Sequence, residues 1–173
     1  MVEPVQGEAG VVVPDEGYLK GVRELCTKHN VLFIADEVQT GLGHSQRLLC
    51  SHHENVRPDI VTLGKALSGG TYPVVLDEKL PENAAKMGKI LMDELRKLPK
   101  SVVSVVRGKG LLCAIVLKKK VDAWKVCLKL KDNGLLAKNT HGDTIRFAPP
   151  LIITESELRA AIKIISDTVN SFA

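Results

Sequence analysis

The chain has 173 residues, 45% hydrophobic and 25% charged, with a formal net charge of +4, a balance that excludes a disordered protein and fits one domain or two small lobes. Aromatic residues make up only 3%, which argues against a stacking surface for single-stranded nucleic acid, and the Lys118-Lys119-Lys120 run reads as a solvated connection. No apolar run reaches the length of a membrane span, and Cys26, Cys50, Cys113 and Cys127 show no C-x-x-C spacing, so separate reduced thiols are expected.

Met1 is followed at once by "VEPVQGEAGVVVP", which reads as a strand and its exit loop with no Arg-rich amphipathic leader ahead of it. Pro14 and Asp15 open a predicted helix whose residues Tyr18, Val22, Leu25 and Cys26 share one apolar face. Val31 to Ala35 predict a continuous apolar strand of the kind buried on both sides of a parallel sheet. A second short strand, Ile60 to Leu63, ends at Gly64-Lys65 and the turn "SGG". Strand, helix, strand implies an α/β sheet with crossovers.

Beyond Pro73 the pattern changes. Ala84, Met87, Leu91, Leu95 and Leu98 form a helical stripe, Val102 to Val106 and Leu111 to Leu117 read as strands joined through Arg107 to Gly110, and Ala123 to Asp132 reads as a helix capped at Gly134. Thr154 and Glu157 have capping-box spacing before the stripe of Leu158, Ile162, Ile165 and Val169. This half reads as an α+β lobe, with the join expected near Pro73 to Asp77.

The stretch "VLFIADEVQTG" carries the chemical question, because Asp36 and Glu37 follow directly on an apolar strand and burying charge costs several kcal/mol. One reading has Asp36 capping the next turn; the other has a cation waiting there. Nucleotide motifs fail: a phosphate loop ending at Gly64-Lys65 would need a glycine where Asp59 stands and a hydroxyl where Ala66 stands, and "GKGLLC" lacks the third glycine of a dinucleotide fingerprint. His44, Cys50, His52 and His53 match no common zinc spacing and read as solvated loop residues. What remains is Asp36 at the end of one strand and Lys65 just past the end of another. In open α/β sheets ligands bind beyond the carboxyl ends of strands. A lone loop lysine is usually a solvated charge, but with a facing acid and "SGG" beside it, it suggests an amine that forms an imine with a carbonyl cofactor.

The stretches "VEPVQGEAG", "LFIADEVQTGLG", "RPDIVTLGKALSGG", "VRGKGLL", "DNGLLAK" and "IRFAPPL" resemble the class-III, fold-type-I aminotransferases that use pyridoxal 5'-phosphate, in wording nearest their ornithine type. The resemblance implies an α/β fold made of part of the large-domain sheet, residues 1–75, followed by an α+β C-terminal small domain, residues 76–173. It implies that Lys65 holds the cofactor as an imine and shuttles the proton between substrate carbon and cofactor carbon. Asp36 would hydrogen-bond the protonated pyridine nitrogen, keeping the ring an electron sink, and Gln39 would contact the ring hydroxyl. Arg146 would clamp the substrate carboxylate through its planar fork, with Glu8 pairing Arg146 when a different amino-group geometry must be accepted. The implied reaction moves the terminal amino group of L-ornithine to 2-oxoglutarate, giving glutamate semialdehyde and glutamate, in a homodimer of the mitochondrial matrix; without an import leader, a cytoplasmic place is expected for the chain as written.

Departures from the family are part of the same reading. The sequence shows no counterpart of the family's glycine- and serine-containing phosphate loop or its ring-stacking aromatic. "VVLDEKLPENAAK" joins the lobes directly, and "GHSQRLLCSHHENV" replaces the usual loop after "QTGL". Losing phosphate contacts worth about 1.5 to 3 kcal/mol each predicts weakened cofactor binding. A non-catalytic fragment that at most associates with full-length subunits is therefore the second expectation.

Overall fold

In the computed structural model, residues 1–65 and 79–173 are described; the expected lobe boundary and the "SGG" turn lie outside them. Helix α1, Tyr18–Lys28, follows Gly17. Its inward face is Leu19, Val22 and Cys26, packed with Phe33, Ala35 and Val56; Val22 and Cys26 of the predicted stripe thus point inward, whereas Tyr18 and Leu25 are exposed. Both stripes satisfy helical spacing, and the position of the neighbouring strand selects between them.

That strand, β1, is only Ile34–Asp36. The predicted buried run from Val31 is corrected: Val31 and Leu32 are 57% and 63% exposed. Val31 closes the turn after α1, its N–H donating to the Cys26 carbonyl at 2.8 Å, and the Phe33 N–H donates to Asp59 Oδ2 at 2.7 Å. The Phe33 carbonyl accepts from the Asp59 and Ile60 N–H groups at 2.9 and 3.2 Å, and the paired strand runs from Ile34. It pairs in parallel with β2, Ile60–Thr62, in the register Ile34 to Ile60 and Asp36 to Thr62, while Val2 makes a parallel bridge to Ala35 on the other side.

The loop after β1 is only partly the solvated segment expected: His52 is exposed, but His44 and His53 are half-buried. Cys50, Ser45 and Ser51 are buried, and a 3-10 turn spans Cys50–Glu54. All four cysteines are free thiols.

Helix α2, Leu80–Leu95, buries Ala84, Met87, Leu91 and Leu95 along the predicted stripe. Strands β3, Val103–Lys109, and β4, Leu112–Leu117, form an antiparallel hairpin. Its turn is tighter than expected, because Arg107 and Gly108 are paired strand residues and the reversal falls on Gly110, at φ 61. A side chain at Gly110 would strike the His44 carbonyl at 2.3 Å, so the hairpin tip is pressed against the N-terminal region. Helix α3, Ala123–Asp132, is capped by Asp122, and Gly134 has φ 91. Strands β5, Lys138–Thr140, and β6, Thr144–Phe147, complete an antiparallel sheet of order β3-β4-β6-β5. Helix α4, Glu155–Asn170, starts with the predicted Thr154/Glu157 capping box.

Side-chain alternation splits this sheet between two partners. Cys113, Ile115, Leu117, Ile145 and Phe147 face the core shared with the helices. Leu112 and Ala114 face the other way, packing with Val5, Val11 and Cys50. The N-terminal loop therefore lies across the sheet's second face, and this places the site.

Candidate functional site

Because β1 and β2 are parallel and in register, Asp36 and Thr62 end the sheet together, and Lys65 follows close behind on the same carboxyl edge. Asp36 is half-buried. Its Oδ1 accepts from the Val38 N–H at 3.1 Å and from Thr62 Oγ1 at 3.1 Å, so both of these bonds converge on one oxygen. Lys65 takes φ 50, a left-handed conformation uncommon for a residue with a side chain. Nearby His44 is half-buried. Burial pushes its imidazole below the ordinary range, a bond to the Gly41 carbonyl opposes this, and the Lys65 charge adds to the lowering.

The second acid of the pair has a different task. Glu37 is 1% exposed and accepts from Thr40 Oγ1 at 2.6 Å and from the Cys50 and Ser51 N–H groups at 2.9 and 2.8 Å. Three donors compensate its burial, and they fasten the substituted loop beneath the site.

The remaining candidates meet where the two halves of the chain touch. Arg146 Nη1 donates to Glu8 Oε1 at 2.8 Å and to Gln39 Oε1 at 3.1 Å, and Gln39 Nε2 donates to Glu8 Oε1 at 3.2 Å. The Arg146 guanidinium, first by hydrogen bonding and then by its charge, holds the Glu8 carboxyl down at about 2. A side chain on Gly7 would collide with Gln39 Oε1 at 2.3 Å, so the glycine before Glu8 is what admits Gln39 to the cluster. Arg146 reaches it because Ile145 and Phe147 take the core face of β6, which turns the residue between them outward.

Several residues at the site carry no sequence signal of their own. Arg107, Ala114, Arg146 and Lys138 form one cross-strand row over the whole four-stranded sheet. From that row Arg107 Nε donates to the Gly10 carbonyl at 2.7 Å, and Lys138 Nζ lies 3.6 Å from Glu8 Oε2. Beside it Thr140 Oγ1 donates to the Glu8 carbonyl at 2.6 Å. The "IRF" alternation could have oriented Arg146; the partners of Glu8 required the register.

This donor set fits the cofactor implied by the resemblance. A ring cation needs a fixed anion with an oxygen left to accept, which Asp36 Oδ2 provides among the described residues, and the carbonyl carbon needs a primary amine on the same edge, which Lys65 provides. The five residues separate into two groups: Asp36 and Lys65 on the parallel edge, and Gln39, Glu8 and Arg146 in one hydrogen-bonded cluster.

The sequence model described as "Aminotransferase class-III" matches residues 1–76 and 73–169, two pieces that meet at the join. Among curated relatives, the probable mitochondrial ornithine aminotransferase of Caenorhabditis elegans is 57% identical over 211 aligned positions, covering 100% of this chain and 50% of that protein. The mitochondrial ornithine aminotransferase of Rattus norvegicus is also 57% identical, covering 99% of this chain and 48% of its own. Of solved structures, an ornithine aminotransferase from Plasmodium yoelii superposes with a TM-score of 0.94 at 46% identity, over 99% of this chain and 56% of that one. The chain spans about half the length of the curated relatives it matches.

Proposed function

The chain belongs to the class-III aminotransferase family, whose members depend on pyridoxal phosphate, and from that premise we propose that it carries the acid–lysine edge and carboxylate clamp of an ornithine-type aminotransferase. The proposed reaction transfers the terminal amino group of L-ornithine to 2-oxoglutarate, giving glutamate semialdehyde and glutamate. Residues 1–75 would contribute to the cofactor lobe and 76–173 would form the small domain. The mitochondrial relatives support a matrix location, and the family a homodimer.

When bound, the cofactor supplies an electron sink for the substrate carbon. Asp36 would hold the ring-nitrogen proton, its carboxylate oriented by Thr62 and the Val38 N–H. Lys65 would anchor the carbonyl and move the proton at the substrate carbon that loses it. Gln39 would contact the ring hydroxyl. Arg146 would bind a substrate carboxylate through two parallel N–H groups, and Glu8 would occupy Arg146 when the amine being transferred is not beside a carboxylate. One site can thus serve an amino acid and a 2-oxo acid in turn.

The observation that carries the reading is the Arg146–Glu8–Gln39 cluster, which joins residues from opposite ends of the chain beside an edge holding Asp36 and Lys65. The test is spectroscopic: chain mixed with pyridoxal phosphate should gain the visible absorbance of lysine-bound cofactor, lose it as Lys65→Ala, and bleach with L-ornithine. A colourless mixture would leave the second reading, a fragment that associates with full-length subunits. The exposure of Leu25, Val31 and Leu32 beside the two-stranded parallel sheet favours that alternative.

A further inference from the structure

The row of residues across the C-terminal sheet sets a problem that the clamp alone does not answer. Lys138 stands directly opposite Arg146 in the β5–β6 register, and like charges directly opposite on one face repel. Glu8 lies between them, with Oε1 at 2.8 Å from Arg146 Nη1 and Oε2 at 3.6 Å from Lys138 Nζ. The two cations are unequal: the Arg146 side chain is 16% exposed and Lys138 65%. One sits inside the cluster and the other at its rim.

If Arg146 takes a substrate carboxylate, Glu8 must leave it. Its backbone has no need to follow, because Thr140 holds the Glu8 carbonyl at 2.6 Å and Arg107 holds the Gly10 carbonyl at 2.7 Å. Only the side chain swings. A carboxylate released beside an incoming carboxylate meets a like charge, unless a second cation lies within a short rotation. Lys138 Nζ already lies within ion-pair distance, 3.6 Å, of its other oxygen.

Resting on the reading of Arg146 as a carboxylate clamp, we propose that Lys138 is a positioning residue that holds Glu8 while a substrate carboxylate occupies Arg146. Lys138 makes the exchange easier by giving the displaced carboxylate a partner, and it acts on the ligand through Glu8 alone.

Titration calorimetry of the full chain with glutarate, a dicarboxylate that cannot react, tests this. Lys138→Met should weaken glutarate binding about twofold to fivefold, the range expected of an exposed ion pair, Lys138→Arg should restore it, and the loss should vanish when Glu8→Gln is already present. Carbon-detected NMR of the Glu8 carboxyl adds a readout independent of affinity. With glutarate bound, its titration should stay below the ordinary carboxylate range in the unmodified chain and return toward it in Lys138→Met. An equal loss with and without Glu8 would mean that Lys138 attracts the ligand directly, and no loss at all would mean that Glu8 needs no second partner; either overturns the proposal. Unchanged glutarate binding in Arg146→Ala would instead overturn the clamp reading, and this one with it.

Discussion

The two ends of this chain solve the burial problem differently. From Leu80 onward, three helices cover one face of a four-stranded antiparallel sheet, and twenty buried side chains form a single core. The N-terminal region holds a two-stranded parallel sheet with a core of Leu19, Phe33, Ala35 and Val56, while Leu25, Val31 and Leu32 remain exposed. Antiparallel strands close through tight turns and complete themselves locally; parallel strands depend on crossovers and on cover for both faces. The edge with Asp36 and Lys65 thus stands on the less enclosed framework, and Arg146 on the more enclosed one.

The widest test of that contrast is a pair of leucine truncations followed by chemical denaturation. Leu91→Ala, 1% exposed, should cost about 2–5 kcal/mol, whereas Leu32→Ala, 63% exposed, should change stability little. Equal losses would erase the distinction.

Next in size is Glu37→Ala, which would strand the Cys50 and Ser51 N–H groups and should cost about 1–3 kcal/mol. Limited proteolysis should then cut first in the loop at residues 44–54 and leave the C-terminal sheet intact; simultaneous cleavage of both would show that the loop is not a separate unit. Thr154→Ala removes the capping box of α4 and should cost about 1 kcal/mol, read as a lowered denaturation midpoint with an unchanged slope.

The smallest effect joins the two regions. The Glu8 carboxyl is depressed to about 2, so its contribution is fully present above its unfolded value near 4.5 and fades as pH falls through about 2. Between those limits the melting temperature of Glu8→Gln should fall less steeply with acidification than that of the unmodified chain. Because Glu8 is largely exposed, the difference should be small and should shrink further in high salt; parallel acid curves would mean that the contact adds no linkage.

Much of the C-terminal half was legible in sequence because its cues are local. The Ala84–Leu95 stripe, the capping box and the Ala123–Asp132 helix each follow from spacing within a few turns. Strands β5 and β6 carry weak cues, being short and polar on one face, so their pairing emerges only in the sheet. In the N-terminal half, Val22 and Cys26 of the predicted helix face pack inward with Leu19, while Tyr18 and Leu25 face solvent, since Tyr18 and Leu19 both begin an acceptable apolar stripe. The loop holding His44 and Cys50 reads as polar and solvated, and the carboxylate of Glu37 explains why Cys50 and Ser51 are buried.

The site divides in the same way. Sequence alone determined which groups are present and that an acid ends one strand and an amine follows a later one, because strand period and family wording are properties of short stretches. Tertiary structure decided that Glu37 supports the loop while Asp36 stays at the edge, that Glu8 meets Arg146 from the far end of the chain, and that Lys138 stands across from that arginine. Those contacts depend on register and on which face of a sheet a loop crosses, quantities set by packing over the whole chain.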